Sequence, residues 1–143
     1  MSYSPLLAPV VVLVAWTLVM LVWTAVKRAP FMRNRGELPR GVRGADMPPG
    51  PHNWPAHNYT HLVEQPTIFY AIVFVLVLMN FDAPINVYLA WAYVLLRVIH
   101  SLVQATVNIV KWRFLIFALS TLCLAGLTVH AGLRILHDCG IIG

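Results

Sequence analysis

Charge is what this sequence has least of. Lys, Arg, Asp and Glu make up 10% of the 143 residues against 59% hydrophobic, and only 5 residues are acidic. A water-soluble domain of this length could not cover its surface with so little charge, so the composition, with a mean hydropathy of +0.74, indicates a single membrane-embedded domain. Cysteine is scarce too: Cys123 lies in an apolar run and Cys139 near the C-terminus, which yields neither a disulfide framework nor a zinc motif. Internal repeats and low-complexity segments are missing. The formal net charge of +5 is not spread evenly, because six of the 10 Lys and Arg residues fall between Lys27 and Arg43, beside a hydrophobic run. That placement fits a loop lying against anionic lipid, and no nucleic-acid partner is expected.

What is abundant is long apolar stretches. Residues of about 5–27 are almost uninterrupted Leu, Val, Ala, Trp and Met, enough at 1.5 Å per residue to cross a hydrocarbon core of roughly 30 Å. Three further spans are expected at about 56–79, 85–107 and 114–136. Between the first two lies a basic loop, 28–54, that holds Pro30, Pro39, Pro48, Pro49 and Pro51 and excludes a long regular element. Pro55 suits the first turn of the second helix, and Pro66 predicts a kink or a break just after Glu64. Asn80–Pro84 and Asn108–Arg113 read as turns. The resulting fold class is an all-α, up-down, integral membrane four-helix bundle comprising residues 1–143. The first and third loops carry the basic residues and the second carries none, so the positive-inside rule places both termini outside the cytoplasm. No basic residue precedes the first span, and a cleaved signal peptide is not expected.

Polar residues inside these spans are the strongest functional signal, since charge at membrane depth is costly. His57, His61 and Glu64 are spaced i, i+4, i+7 and share one helical face. Arg97, His100, Gln104, Asn108 and Lys111 form a second stripe. With spans two and three antiparallel, residues at equal depth have numbers summing to about 161, which brings Glu64 level with Arg97, His61 with His100, and His57 with Gln104. A Glu64–Arg97 contact would floor a polar cavity. The i, i+4, i+7 set could also hold a metal, but His52 sits in a Pro-rich loop and no supporting partner is readable, so no metal site is assigned. At the other end, His130, Arg134 and Asp138 are one turn apart, and Arg134–Asp138 reads as an ordinary i, i+4 ion pair.

Two segments, His57-Asn58-Tyr59-Thr60-His61-Leu62-Val63-Glu64-Gln65-Pro66 and Ala90-Trp91-Ala92-Tyr93-Val94-Leu95-Leu96-Arg97-Val98-Ile99-His100-Ser101, resemble the MAPEG family of membrane-associated proteins in eicosanoid and glutathione metabolism, in particular its bacterial branch. The likeness extends over roughly residues 10–136. It implies a homotrimer in the bacterial inner membrane, with glutathione as co-substrate held between subunits near the cytoplasmic side. Members conjugate glutathione to lipophilic electrophiles, reduce lipid hydroperoxides or isomerise lipid mediators. Glu64 and Arg97 match the family pattern, whereas His57, His61, His100 and Gln104 stand where it has Arg, Asn, Tyr and Tyr, and Lys111 stands where some members have a thiol-activating Arg.

The resemblance therefore implies a glutathione or other thiol transferase or peroxidase. Glu64 would bind the ligand's amino group, Arg97 would pair with Glu64 or a ligand carboxylate, and His57, His61 and Gln104 would complete the lining. Lys111 would hold the thiolate and His100 would move the proton. Membrane lipid, a lipophilic small molecule and further copies of the chain are the implied partners. Two other readings keep the residues and drop the enzyme: a lipophile-binding or structural membrane protein of the same fold, and a proton or ion pathway through Glu64, Arg97 and the histidines.

Overall fold

The computed structural model describes residues 3–33, 50–51 and 53–141, and these form four helices: α1 (Leu7–Arg33), α2 (Trp54–Leu78), α3 (Pro84–Thr106) and α4 (Val110–Asp138). All four are long and apolar enough to cross a membrane. His52 and most of the basic loop, on which expectations were stated above, lie outside the described residues.

The helix boundaries follow from local chemistry. Pro55 and Pro84 stand in the first turns of α2 and α3, where a missing N–H costs nothing. Three helices end on a residue in the left-handed region: Asn80 (φ 50°), Asn108 (φ 51°) and Gly140 (φ 69°). After α2 the Asn80 amide donates to Val77 O at 3.0 Å and the Phe81 amide to Leu76 O at 2.9 Å, so two terminal carbonyls are satisfied as the chain reverses. Asparagine tolerates this backbone because its short polar side chain costs little there.

Three expectations need correcting. Helix α1 runs on to Arg33 rather than ending near residue 27, because Pro30 removes only one hydrogen bond from a last turn otherwise made of good helix formers. Of the kink or break expected after Glu64, a break is not present, since helix α2 is continuous through Pro66; the Thr67 hydroxyl donates to Glu64 O at 2.6 Å beside the missing proline N–H. Helix α4 begins at Val110, not at 114, since Asn108 reverses the chain so sharply that Ile109 is already its N-cap.

Helices α2 and α3 are the middle of the bundle: α2 packs on all three others, and so does α3, whose contact with α4 is the most extensive in the molecule. The core is a column of Leu13, Met20, Leu62, Phe69, Val73, Leu76, Ala90, Tyr93, Leu124 and Leu127. Phe69 and Tyr93 stack with ring centroids 4.4 Å apart. Their numbers sum to 162, close to the antiparallel register read from the loop lengths. Large apolar side chains such as Val22, Leu78, Tyr88 and Leu122 cover the outside, as a lipid-facing surface requires. At the end opposite the basic loop, Ser4 Oγ donates to Asp82 Oδ1 at 2.7 Å, and the Arg134–Asp138 pair forms as expected at 2.9 Å. His130 instead bonds the buried Asn86 Oδ1 at 2.8 Å.

Removing the Phe69 ring leaves a cavity against Tyr93. Phe69→Ala should therefore cost on the order of 3 kcal/mol, whereas Leu78→Ala on the lipid face should change stability by less than about 0.5 kcal/mol; thermal unfolding in detergent micelles compares the two.

Candidate functional site

The stripe on α3 is built as its spacing predicts. Arg97, His100 and Gln104 are all buried on one face. It stops there: Asn108 reverses the chain, and Lys111 emerges on an exposed side of α4. The stripe on α2 is turned by about one residue, or roughly 100°. The buried face of α2 passes through Asn58, Leu62, Phe69, Val73 and Leu76, which leaves His57 and Glu64 exposed and His61 at the boundary.

This rotation decides which of the expected pairs form. His61 and His100 meet edge-on with ring centroids 6.3 Å apart, as the register requires. Glu64 and Arg97 do not meet. The Glu64 side chain is 67% exposed, and its ionic neighbour among the described residues is His61 Nδ1 at 3.8 Å. Arg97 has no exposed surface. Its Nε donates to the Tyr93 hydroxyl at 3.2 Å, and its guanidinium carbon lies 5.5 Å from the Tyr93 ring centroid and 5.0 Å from that of Phe117. The two residues share a depth but face different ways, because the inward positions of α2 at that level are Leu62 and Pro66. His57 does not meet Gln104 either. Asn53 Oδ1 accepts from Arg28 Nη2 at 2.9 Å, so the amide nitrogen of Asn53 is turned toward His57 Nε2 at 3.1 Å and donates to it.

A cleft of about 280 Å³ opens between α2, α3 and α4 at the basic end, lined by His61, His100, Val110, Arg113, Phe114 and Phe117. Arg113 is the residue that sequence reasoning missed as a site residue. Placed in a turn, it had no helical phase; with α4 beginning at Val110, Arg113 and Phe117 fall at i, i+4 and share a face. Arg113 Nη1 donates to Asn108 Oδ1 at 2.7 Å, which fastens the guanidinium to the α3–α4 turn. Phe117 lines the cleft, lies over Arg97, and has its ring 6.1 Å from that of His100.

The cleft thus has two imidazoles and one fixed positive charge over an aromatic floor, with a second guanidinium behind that floor and no carboxylate in its lining among the described residues. Such a lining favours an anion or a polarisable thiolate over a metal cation. Among the described residues no three His, Cys, Asp or Glu side chains converge as a metal site. A separate apolar groove of about 220 Å³ runs between α1 and α2, past Val14, Thr17, Leu18, Val63 and Tyr70.

Four apolar helices, with a buried polar stripe on α3 and an amphipathic cleft at the basic end, define an integral membrane helix bundle with a cleft between its helices. The model of the MAPEG family matches residues 6–133, most of the chain, and the protein belongs to that family. No curated protein and no solved structure matches the chain.

The Arg113–Asn108 bond joins a charged donor to the turn that ends α3. Arg113→Leu should lower stability by about 1–3 kcal/mol, seen as a reduced midpoint of thermal unfolding; an unchanged midpoint would show that the bond contributes nothing to the turn.

Proposed function

We propose that this MAPEG protein is a thiol transferase that joins glutathione, or a related thiol, to lipophilic electrophiles that reach the cleft from the membrane. The observation that carries the reading is the cleft itself, where Arg113, His61 and His100 stand over Phe114 and Phe117 at the basic end of a membrane bundle. Arg113 stabilises the thiolate by proximity and so lowers the thiol's pKa, a role that falls to it rather than to Lys111, which does not line the cleft. His100 or water accepts the thiol proton. The thiolate sulfur then attacks the electrophilic carbon, a C–S bond forms, and the displaced group leaves with the bonding electron pair or, in a ring opening, takes a proton as its oxygen is released. The aromatic floor and the open side of the cleft hold the apolar part of the electrophile.

Glu64 supports a multimeric arrangement. Its carboxylate is exposed about ten residues into α2, roughly 15 Å from the helix start, a depth at which a charge facing lipid is costly. A second copy of the chain covering this face would remove the carboxylate from lipid and bring it to the amino group of a thiol ligand at the subunit boundary. A homotrimer, set in an inner membrane with the basic end in the cytoplasm, is the assembly this reading adopts.

A second reading, a lipophile-binding or structural protein, is favoured by the apolar α1–α2 groove and by how much of the α3 stripe is enclosed. It predicts that Glu64→Gln weakens the assembly without altering any ligand affinity. A transmembrane proton path is not favoured: between the Arg97 level and the buried Asn86–His130 pair at the opposite end, the described core includes Phe69, Val73, Leu76, Ala90, Leu124 and Leu127, which carry no proton.

The deciding assay uses purified protein in detergent with glutathione and a chlorodinitroarene. Neither turnover nor thermal stabilisation by millimolar glutathione would remove the transferase reading. If turnover is seen, Arg113→Gln should cut kcat/KM by about 10²-fold and move the alkaline rise of the rate upward, as the thiol returns toward its ordinary pKa of about 8.5.

A further inference from the structure

The interior beside the cleft contains a charge that nothing in the described chain balances. Arg97 has no exposed surface, and arginine is the one basic side chain that cannot shed its proton to suit a low-dielectric site. While its Nε is bonded to Tyr93, Nη1 and Nη2 have no hydrogen-bond partner. The described carboxylates are engaged elsewhere: Glu64 faces outward, Asp82 is bonded to Ser4 and Asp138 to Arg134. The faces of Tyr93 and Phe117 offset part of the charge, but a quadrupole is a weak substitute for a counter-ion.

Other buried atoms nearby are also unmatched. Ser101 Oγ and Gln104 Oε1 follow Arg97 at i+4 and i+7 on the buried strip of α3. On α2, both amide atoms of the buried Asn58 lack partners, and so does Oε1 of Gln65, whose amide nitrogen donates to Thr121 of α4. Water can join amides and hydroxyls to one another, but it brings no charge. Arg97 is enclosed by residues of its own chain.

We propose that the bundle interior at Arg97 binds a compact monovalent anion of halide size. The anion accepts from Nη1 and Nη2 of Arg97 and from the Ser101 hydroxyl, and waters complete the amide groups around it. Phe117 stands between this site and the cleft, so rotation of its ring is the route of entry. The enclosure suits a small ion and not a tripeptide carboxylate. The site is separate from the one at which a thiol is proposed to bind, and it stands whether or not the protein conjugates thiols.

The test measures thermal unfolding of the purified full-length protein in detergent, in chloride, bromide or gluconate at equal ionic strength. Chloride and bromide should raise the unfolding midpoint by about 3–6 °C over gluconate near saturation. Arg97→Gln should abolish the halide response, and Ser101→Ala should shift it to several-fold higher halide concentration. Diffraction from crystals grown in bromide reads the site without relying on a variant that folds, and an anomalous peak within hydrogen-bonding reach of Arg97 Nη1 and Nη2 is expected. A midpoint independent of the anion, a halide response that persists in Arg97→Gln, or a bromide peak at Arg113 alone with only water at Arg97 would each overturn the proposal.

Discussion

A guanidinium that cannot neutralise itself, enclosed in a membrane bundle, is the constraint to which the surrounding structure answers. Arg97 draws the Tyr93 hydroxyl to its Nε and lies against two aromatic rings, one from its own helix and one from α4. Tyr93 in turn stacks on Phe69 of α2. One charged side chain is thereby engaged, directly or through a single ring, with α2, α3 and α4. Those are the helices that wall the cleft. The chemistry of the cleft and the packing of the bundle are therefore not separable at this point: a change that relieved the buried charge would also loosen the aromatic floor of the cleft.

The cleft has the opposite character to the buried stripe. Its lining is mostly aromatic and aliphatic, with polarity concentrated in His61, His100 and Arg113. A site of that kind can admit an apolar molecule from lipid while presenting charge at one position only, which suits chemistry between a water-soluble thiol and a membrane-dissolved partner. Glu64, on the α2 side, stands outside this cleft, exposed and beside His61.

The number of helices, their order and the antiparallel register of α2 and α3 were legible in the sequence, because apolar length and short connections determine these directly. The His61–His100 contact followed from depth alone. The rotation of α2 about its axis was not legible. Polar spacing shows that His57, His61 and Glu64 share a face but not which way the face points, and the apolar row Leu62, Phe69, Val73 and Leu76 was the competing signal that governs packing. Arg113 was hidden for a related reason: a residue assigned to a turn has no phase, and moving the start of α4 back to Val110 supplies one.

The α3–α4 turn consists of Val107, Asn108 and Ile109, closed by the left-handed Asn108 and tied to Arg113. Its length acts as a gauge that sets the angular position of everything after it. One residue added or removed there would rotate α4 by about 100° with respect to α3 and carry Arg113 and Phe117 out of the cleft together. Among relatives of this protein, variation in side chains around the site is thus compatible with the same architecture, whereas variation in the length of this one turn marks a cleft with a different set of walls.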